Sequence, residues 1–304
     1  MTLLAGMPVV VGVDFFSCSK SALAQAARLS SSTHAALHVF HVVEPLVVTN
    51  LADNLPNSVE ELRQRVVEDS KMALAEAMNQ VGDPRPEQVE FDVTIGSPAQ
   101  EILRKAQSVS ADLLVLGMSG SFGTGHRLGA TVEKVVKKAI ISTLVVHESH
   151  AVPFRTVIVC VDFSASSRAA LEYAVRIAAL YRSHLCLLYV FRGPWHRLHY
   201  RAPTREANPD FKKQYLAALQ ARLDALLEPF ADDLKGLSPQ CELYECQDYY
   251  RGILDFSCKK SADLVVVGPG KTTLYSLLFG SFAERVVQEL PCSILVARPM
   301  KGRD

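Results

Sequence analysis

Two aspartates and two glycine-containing loops are the residues of this 304-residue sequence best suited to hold a ligand. Asp14 closes the apolar run VVVGV and Asp162 closes VIVCV. A carboxylate at the carboxyl end of a buried strand can accept a hydrogen bond from a ligand hydroxyl or amino group. The loops are GMSGSFGTGHRLGAT (117–131) and GPGKTTLYSLLFGSF (268–282), each after a short apolar run. Free backbone N–H groups at a glycine-rich helix start favour phosphate. The second loop ends in Ser281-Phe-Ala-Glu284, the spacing of a capping box. Gly270-Lys271-Thr272 resembles the end of a P-loop, but the pattern needs a glycine where Val265 stands, so that reading fails.

Other polar clusters point less clearly to chemistry. His38 and His41 lie three apart in a strand-like run, hence on opposite faces, which does not suit joint metal ligation. His147 and His150 flank the junction between the halves and are expected at the surface. The segment from Arg192 to Arg205 interleaves four arginines with Trp195 and Tyr200. It leaves the second strand of its half and is expected to form a flap, whose arginines either favour an anionic ligand or partner or are merely solvated, the commoner case for such a loop.

Positioning these residues requires elements, and the elements come twice. VVVGVDFFSCSKSAL (9–23) returns as VIVCVDFSASSRAAL (157–171), SADLLVLG (110–117) as SADLVVVG (261–268), and GATVEKVV (129–136) as GSFAERVV (280–287). Blocks recurring in one order over nearly the full length mark a duplicated domain, with expected boundaries 1–150 and 151–304. In each half five short apolar β-branched runs alternate with helix-period stretches. Such runs are too apolar for half-exposed strands and fit a parallel sheet covered on both faces, an α/β doubly wound arrangement.

Composition narrows the function. Lys plus Arg and Asp plus Glu are 32 each, so no global charge drives the chain to nucleic acid or an anionic membrane. The seven cysteines contain no C-x-x-C pair and read as reduced thiols, which fits a cytoplasmic location. All nine tyrosines and the single tryptophan fall in the second half. No Ser/His/Asp constellation or paired acidic site is recoverable, so a binding or regulatory protein is favoured over an enzyme, with weak ATPase activity as the most that is expected.

The D-x-S turn at Asp162, the sequence His41-Val42, the two ADLxVxG blocks, the glycine loop closing in Gly280-Ser281 and the final Pro291-Cys-Ser-Ile-Leu-Val strand together resemble the universal stress protein family. The resemblance covers both halves and implies a tandem member with Rossmann-like sheets of strand order 3-2-1-4-5. It further implies an adenine nucleotide, ATP with or without Mg2+, as ligand, and a stress-response regulator or protective protein as function. Carried over position by position, the second-half site is Asp162, Val190, Gly268, Gly270, Gly280 and Ser281, with Lys271 as an added phosphate cation. Its first-half counterpart is Asp14, Val42, Gly117, Gly120 and Gly129, with Thr131 standing in for the hydroxyl that Ala130 lacks. Neither half keeps the family's glycine spacing intact, so a scaffold or small-ligand protein with degenerate pockets is the alternative. The hydroxyl and Lys271 favour tighter ATP binding in the second half. Family members dimerise through the last strand, and the tandem chain is expected to internalise that pairing as a pseudo-dimer, with a further homodimer open.

Overall fold

A computed structural model of the chain describes residues 8–118, 128–196, 209–268 and 292–299. The expected loop positions Gly120, Arg197, Tyr200, Arg201, Arg205, Gly270, Lys271, Gly280 and Ser281 lie outside the described residues.

The chain divides into two compact units. Residues 8–153 form the first together with Cys292–Leu295, and the second runs from Phe154 with Val296–Pro299. In the first, β1 (Val9–Gly12), β2 (Leu37–Val43), β3 (Val89–Ile95), β4 (Leu113–Gly117) and β5 (Ser142–Val146) form a parallel sheet in the order β3-β2-β1-β4-β5. Its helices are α1 (Ser17–Thr33), α2 (Pro45–Ala52), α3 (Val59–Gln80), α4 (Pro98–Ser108) and α5 (Ala130–Lys138). In the second, β6 (Thr156–Cys160), β7 (His184–Phe191), β8 (Gln240–Glu245) and β9 (Leu264–Val267) follow the order β8-β7-β6-β9. Ala297, after β10 (Ser293–Val296), donates its N–H to the Val267 carbonyl at 2.8 Å. The second-unit helices described are α6 (Ala165–Tyr181), α7 (Pro209–Leu227) and α8 (Tyr249–Lys259).

Registers repeat with the sequence: Val9 lies beside Leu37 and Leu113, and Val157 beside Leu185 and Leu264. β1 and β4 are buried almost throughout, as are β6 and β9, which is why their residues read as continuous apolar runs. Backbone strain repeats as well. Among the described residues the non-glycine positions with positive φ come in three pairs: Phe15 (67°) with Phe163 (61°), His34 (53°) with Arg182 (53°), and Ser110 (50°) with Ser261 (49°). Each pair is related by the sequence repeat, so the second copy inherited both the turns and their conformational cost of about 1–2 kcal/mol per residue.

Two details go beyond the sequence reading and one corrects it. Pro45–Ala52 forms a helix, with Pro45 at its first turn, whereas the second unit has a 3-10 turn at Pro194–His196. The capping box that is described opens α3, where Ser58 accepts from Glu61 N–H at 3.2 Å and the Glu61 carboxylate accepts from Ser58 N–H at 3.0 Å. His150, expected at the surface, is buried, because polar side chains of α1 draw the segment after β5 down onto the helix.

Burial pushes the Cys186 thiol on β7 and the Cys241 thiol on β8 up to about 12, reinforced by Glu242 at the first and Asp224 at the second. The thiolate is the reactive form, so at pH 8 both should alkylate with iodoacetamide at least roughly a hundredfold more slowly than exposed Cys258. Comparable rates by peptide mass spectrometry would contradict this assignment.

Candidate functional site

In the first unit the strand order reverses between β1 and β4, the place where open α/β sheets bind ligands. A cavity of about 360 Å³ lies there, beyond the carboxyl ends of these strands. Val13, Phe40, Pro98, Ile102, Leu116 and Val132 supply an apolar wall. Asp14, His41, Glu44, Ser19 and Thr131 supply the polar groups.

The turn after β1 holds Asp14 in place. Its Oδ1 accepts from Phe16 N–H at 3.1 Å, and the Ser19 hydroxyl accepts from Asp14 N–H at 3.3 Å while donating to the Phe16 carbonyl at 3.0 Å. Phe15, forced to positive φ by this turn, packs its ring 4.8 Å from His41. His41 Nδ1 lies 2.7 Å from the Val13 carbonyl. A carbonyl only accepts, so Nδ1 carries the hydrogen and Nε2 is left as an acceptor. Burial lowers the His41 pKa despite the opposing Val13 carbonyl and Asp14 carboxylate, keeping the ring neutral near pH 7.

At the other side of the cavity Gly129 precedes α5 without a side-chain cap, and Ala130 and Thr131 form the helix's first turn. The N–H groups at such a start have no intrahelical partner. Gly117 closes β4 tightly against α1: a Cβ there would lie 2.5 Å from the carbonyl carbon of Cys18. Thus Asp14, Val42, Gly117, Gly129 and Thr131 are brought together around one cavity.

In the second unit Asp162 repeats the turn, its Oδ1 accepting from Ser164 N–H at 3.0 Å and from the Ser164 hydroxyl at 2.5 Å. Burial works against ionisation of Asp162, but the bonds from Ser164 and Ser167 outweigh it and hold the carboxyl below the usual range. Phe163 packs 4.7 Å from Tyr189, the repeat of Phe15 against His41. Val190 is buried, and Gly268 follows β9 directly.

His41 was legible only as part of the His41-Val42 motif, and Gly12, Phe40, Glu44, Pro98 and Ile102 join it in the lining without having been singled out from the sequence. The signal was present in the repeat offset, which equates these positions with Cys160, Leu188, Tyr189, Arg192, Tyr249 and Ile253. The Gly12 exchange is sterically coherent. A Cβ there would meet Leu116 Cδ2 at 2.6 Å, and where the second unit has Cys160 it has the shorter Val267 in place of Leu116.

Comparisons with known proteins agree on a single relationship. The sequence model of the universal stress protein family matches residues 7–147 and again 153–298. A universal stress protein of Mycolicibacterium smegmatis is 27% identical over 304 residues, covering 96% of this chain and 97% of that protein. The crystal structure of a universal stress protein from Archaeoglobus fulgidus superposes with a TM-score of 0.65 at 17% identity, covering 100% of both chains. A putative universal stress protein from Pseudomonas aeruginosa gives a TM-score of 0.65 at 16% identity, over 98% of this chain and 95% of that one. These two structures speak to the fold.

Proposed function

We propose, from the premise that this chain belongs to the universal stress protein family and carries its domain twice, that it is a stress-response regulator or protective protein of the cytoplasm acting through a bound adenine nucleotide. The observation that supports this is the first-unit cavity, where Asp14, Val42, Gly117, Gly129 and Thr131 meet at the reversal of strand order. Its apolar wall accepts a base. Asp14 and His41 Nε2 accept hydrogen bonds from ribose or amino groups, and the start of α5 with the Thr131 hydroxyl receives phosphate. ATP, with or without Mg2+, is the proposed ligand. The second unit carries the second site through Asp162, Val190 and Gly268 with Gly270, Lys271, Gly280 and Ser281, and is proposed as the tighter one for ATP. No helix of the described residues is long and apolar enough to cross a membrane.

Mass spectrometry of ligand released from purified protein, followed by calorimetric titration with ATP, tests this reading. Thr131→Ala should weaken one site a few-fold, while Ser281→Ala, losing a hydroxyl contact to a charged phosphate, should weaken the other by roughly ten- to a hundredfold. A larger loss at Thr131 would reverse the ranking of the sites. No ATP binding by the parent protein would replace this reading with that of a scaffold with degenerate pockets.

A further inference from the structure

We infer that the second unit carries, beyond β6 and β7, a clamp for a planar aromatic ring bearing a negative group, built from arginine side chains that the first-unit cavity lacks. This deepens the two-site reading above, on which it rests for the location of the sites but not for the chemistry of the clamp.

The repeat offset places Asp162 on Asp14, Phe163 on Phe15, Tyr189 on His41, Arg192 on Glu44 and Tyr249 on Pro98. Four of these first-unit positions, Asp14, His41, Glu44 and Pro98, line the cavity. Its described lining thus carries two carboxylates and no lysine or arginine. A free anion entering there meets Asp14 and Glu44 without a compensating side-chain cation.

The second unit inverts this. Arg192 holds its guanidinium 4.9 Å from the centre of the Tyr249 ring, and Arg222, from α7, holds its own 3.9 Å from the centre of Phe163. Neither guanidinium forms an ion pair among the described residues. The half-buried Tyr189 phenol links the groups, since it packs on Phe163 and has Tyr215, Tyr249, Arg222 and Asp162 as its charged or phenolic neighbours. Asp162, the one carboxylate in this set, is engaged by the Ser164 amide and hydroxyl. Each guanidinium beside its ring brings five N–H donors in a planar fork, the chemistry that binds phosphate or carboxylate. The tyrosine and phenylalanine faces supply stacking for an aromatic ring. An arginine lying on a ring at a surface is a common, weakly stabilising arrangement. Here, however, Arg192 and two of the rings occupy positions whose counterparts line a cavity in the first unit.

The test uses the full chain, calorimetric titration, and two pairs of probes differing in charge: 1-naphthyl phosphate with 1-naphthol, and AMP with adenosine. Trp195, the single tryptophan, lies 5.7 Å from Tyr215 and reports occupancy of the second unit by its fluorescence. The parent protein should bind each phosphate with a change in Trp195 emission. The exposed pair Arg192→Gln/Arg222→Gln should weaken both phosphates roughly ten- to a hundredfold and leave adenosine unchanged. Glu44→Arg should tighten phosphate-probe binding at the first unit by roughly tenfold. Absence of 1-naphthyl phosphate binding, or an affinity unaltered by the double substitution, would overturn the clamp. Binding of 1-naphthyl phosphate as expected but of neither AMP nor ATP would uphold the clamp and reject the nucleotide reading.

Discussion

Replacing Gly117 by alanine is expected to destabilise the first unit by about 3 kcal/mol and to abolish ligand binding there. The added Cβ would lie 2.5 Å from Cys18 C, 2.6 Å from Ser19 N and 2.8 Å from Cys18 O. These are backbone atoms in the first turn of α1, so no side chain can rotate away. The helix itself must shift, yet its inner face is close-packed, with Ala22, Ala26 and Ala27 showing no exposed surface. The same turn carries Ser19, whose hydroxyl orients Asp14, so displacement disorders the cavity as it weakens the core. Hydrogen–deuterium exchange in peptides from α1 and β4 should rise sharply, and adenosine titration should lose its first-unit heat. Gly82→Ala is the control, since nothing lies within 4 Å of a Cβ at that position. Indistinguishable exchange in the two variants would contradict the close approach of β4 to α1.

Gln25→Glu should be damaging in a pH-dependent way. The Gln25 side chain is fully buried, and its Nε2 donates to the His150 carbonyl at 2.7 Å and the Val152 carbonyl at 2.5 Å. It is the central strap of a polar stripe on α1. Ser17 donates to the Glu148 carboxylate at 2.9 Å, Ser21 to the Glu148 carbonyl at 2.7 Å, and Arg28 to the Ala151 carbonyl at 3.1 Å. A glutamate in place of Gln25 turns an oxygen, without a hydrogen, toward two carbonyl oxygens. Burial and these dipoles raise its folded-state pKa above the unfolded value of about 4.3. The folded state then binds more protons than the unfolded, so stability is greater at low pH and is lost as pH rises through the folded pKa. The expected penalty is on the order of 3 kcal/mol at pH 8, smaller at pH 5. Hydrogen exchange of peptides covering α1 and 147–153 at the two pH values measures it. A penalty equal at both, or larger at pH 5, would show that Gln25 is not buried against the two carbonyls. Gln25→Ala, which removes the donor without adding charge, should cost about 2 kcal/mol independent of pH.

Much of this organisation was legible in the residues themselves. The duplication at Val9 and Val157 implied a repeated unit, and the strands recur in register, down to the paired left-handed residues Phe15 and Phe163. Asp14, Val42, Gly117, Gly129 and Thr131 were identified through a family resemblance, and all five reach one cavity. Ser17, Ser21, Gln25 and Arg28 share one face of α1 by helical spacing, but nothing in the sequence names their partner. A polar stripe is ordinarily a solvated helix face, and nothing local to α1 shows that Glu148–Val152, more than a hundred residues away, lies on it.

The sequence by itself determined the type of each element and the inner face of the helices, because a short continuous β-branched run and an apolar spacing of about three and a half residues are local properties of a doubly covered strand and of a helix. It determined the duplication for the same reason, since recurrence needs no knowledge of contacts. Tertiary structure decided which loop ends share a site. In a doubly wound sheet β1 lies beside β4 rather than between sequence neighbours alone, so Asp14, Glu44, Pro98 and Thr131 converge from four separate connections. That convergence turns the exchange of Glu44 for Arg192 from an unremarkable surface difference into a reversal of charge at the rim of a binding site. Strand order and close packing set those distances, and neither is encoded within any one segment.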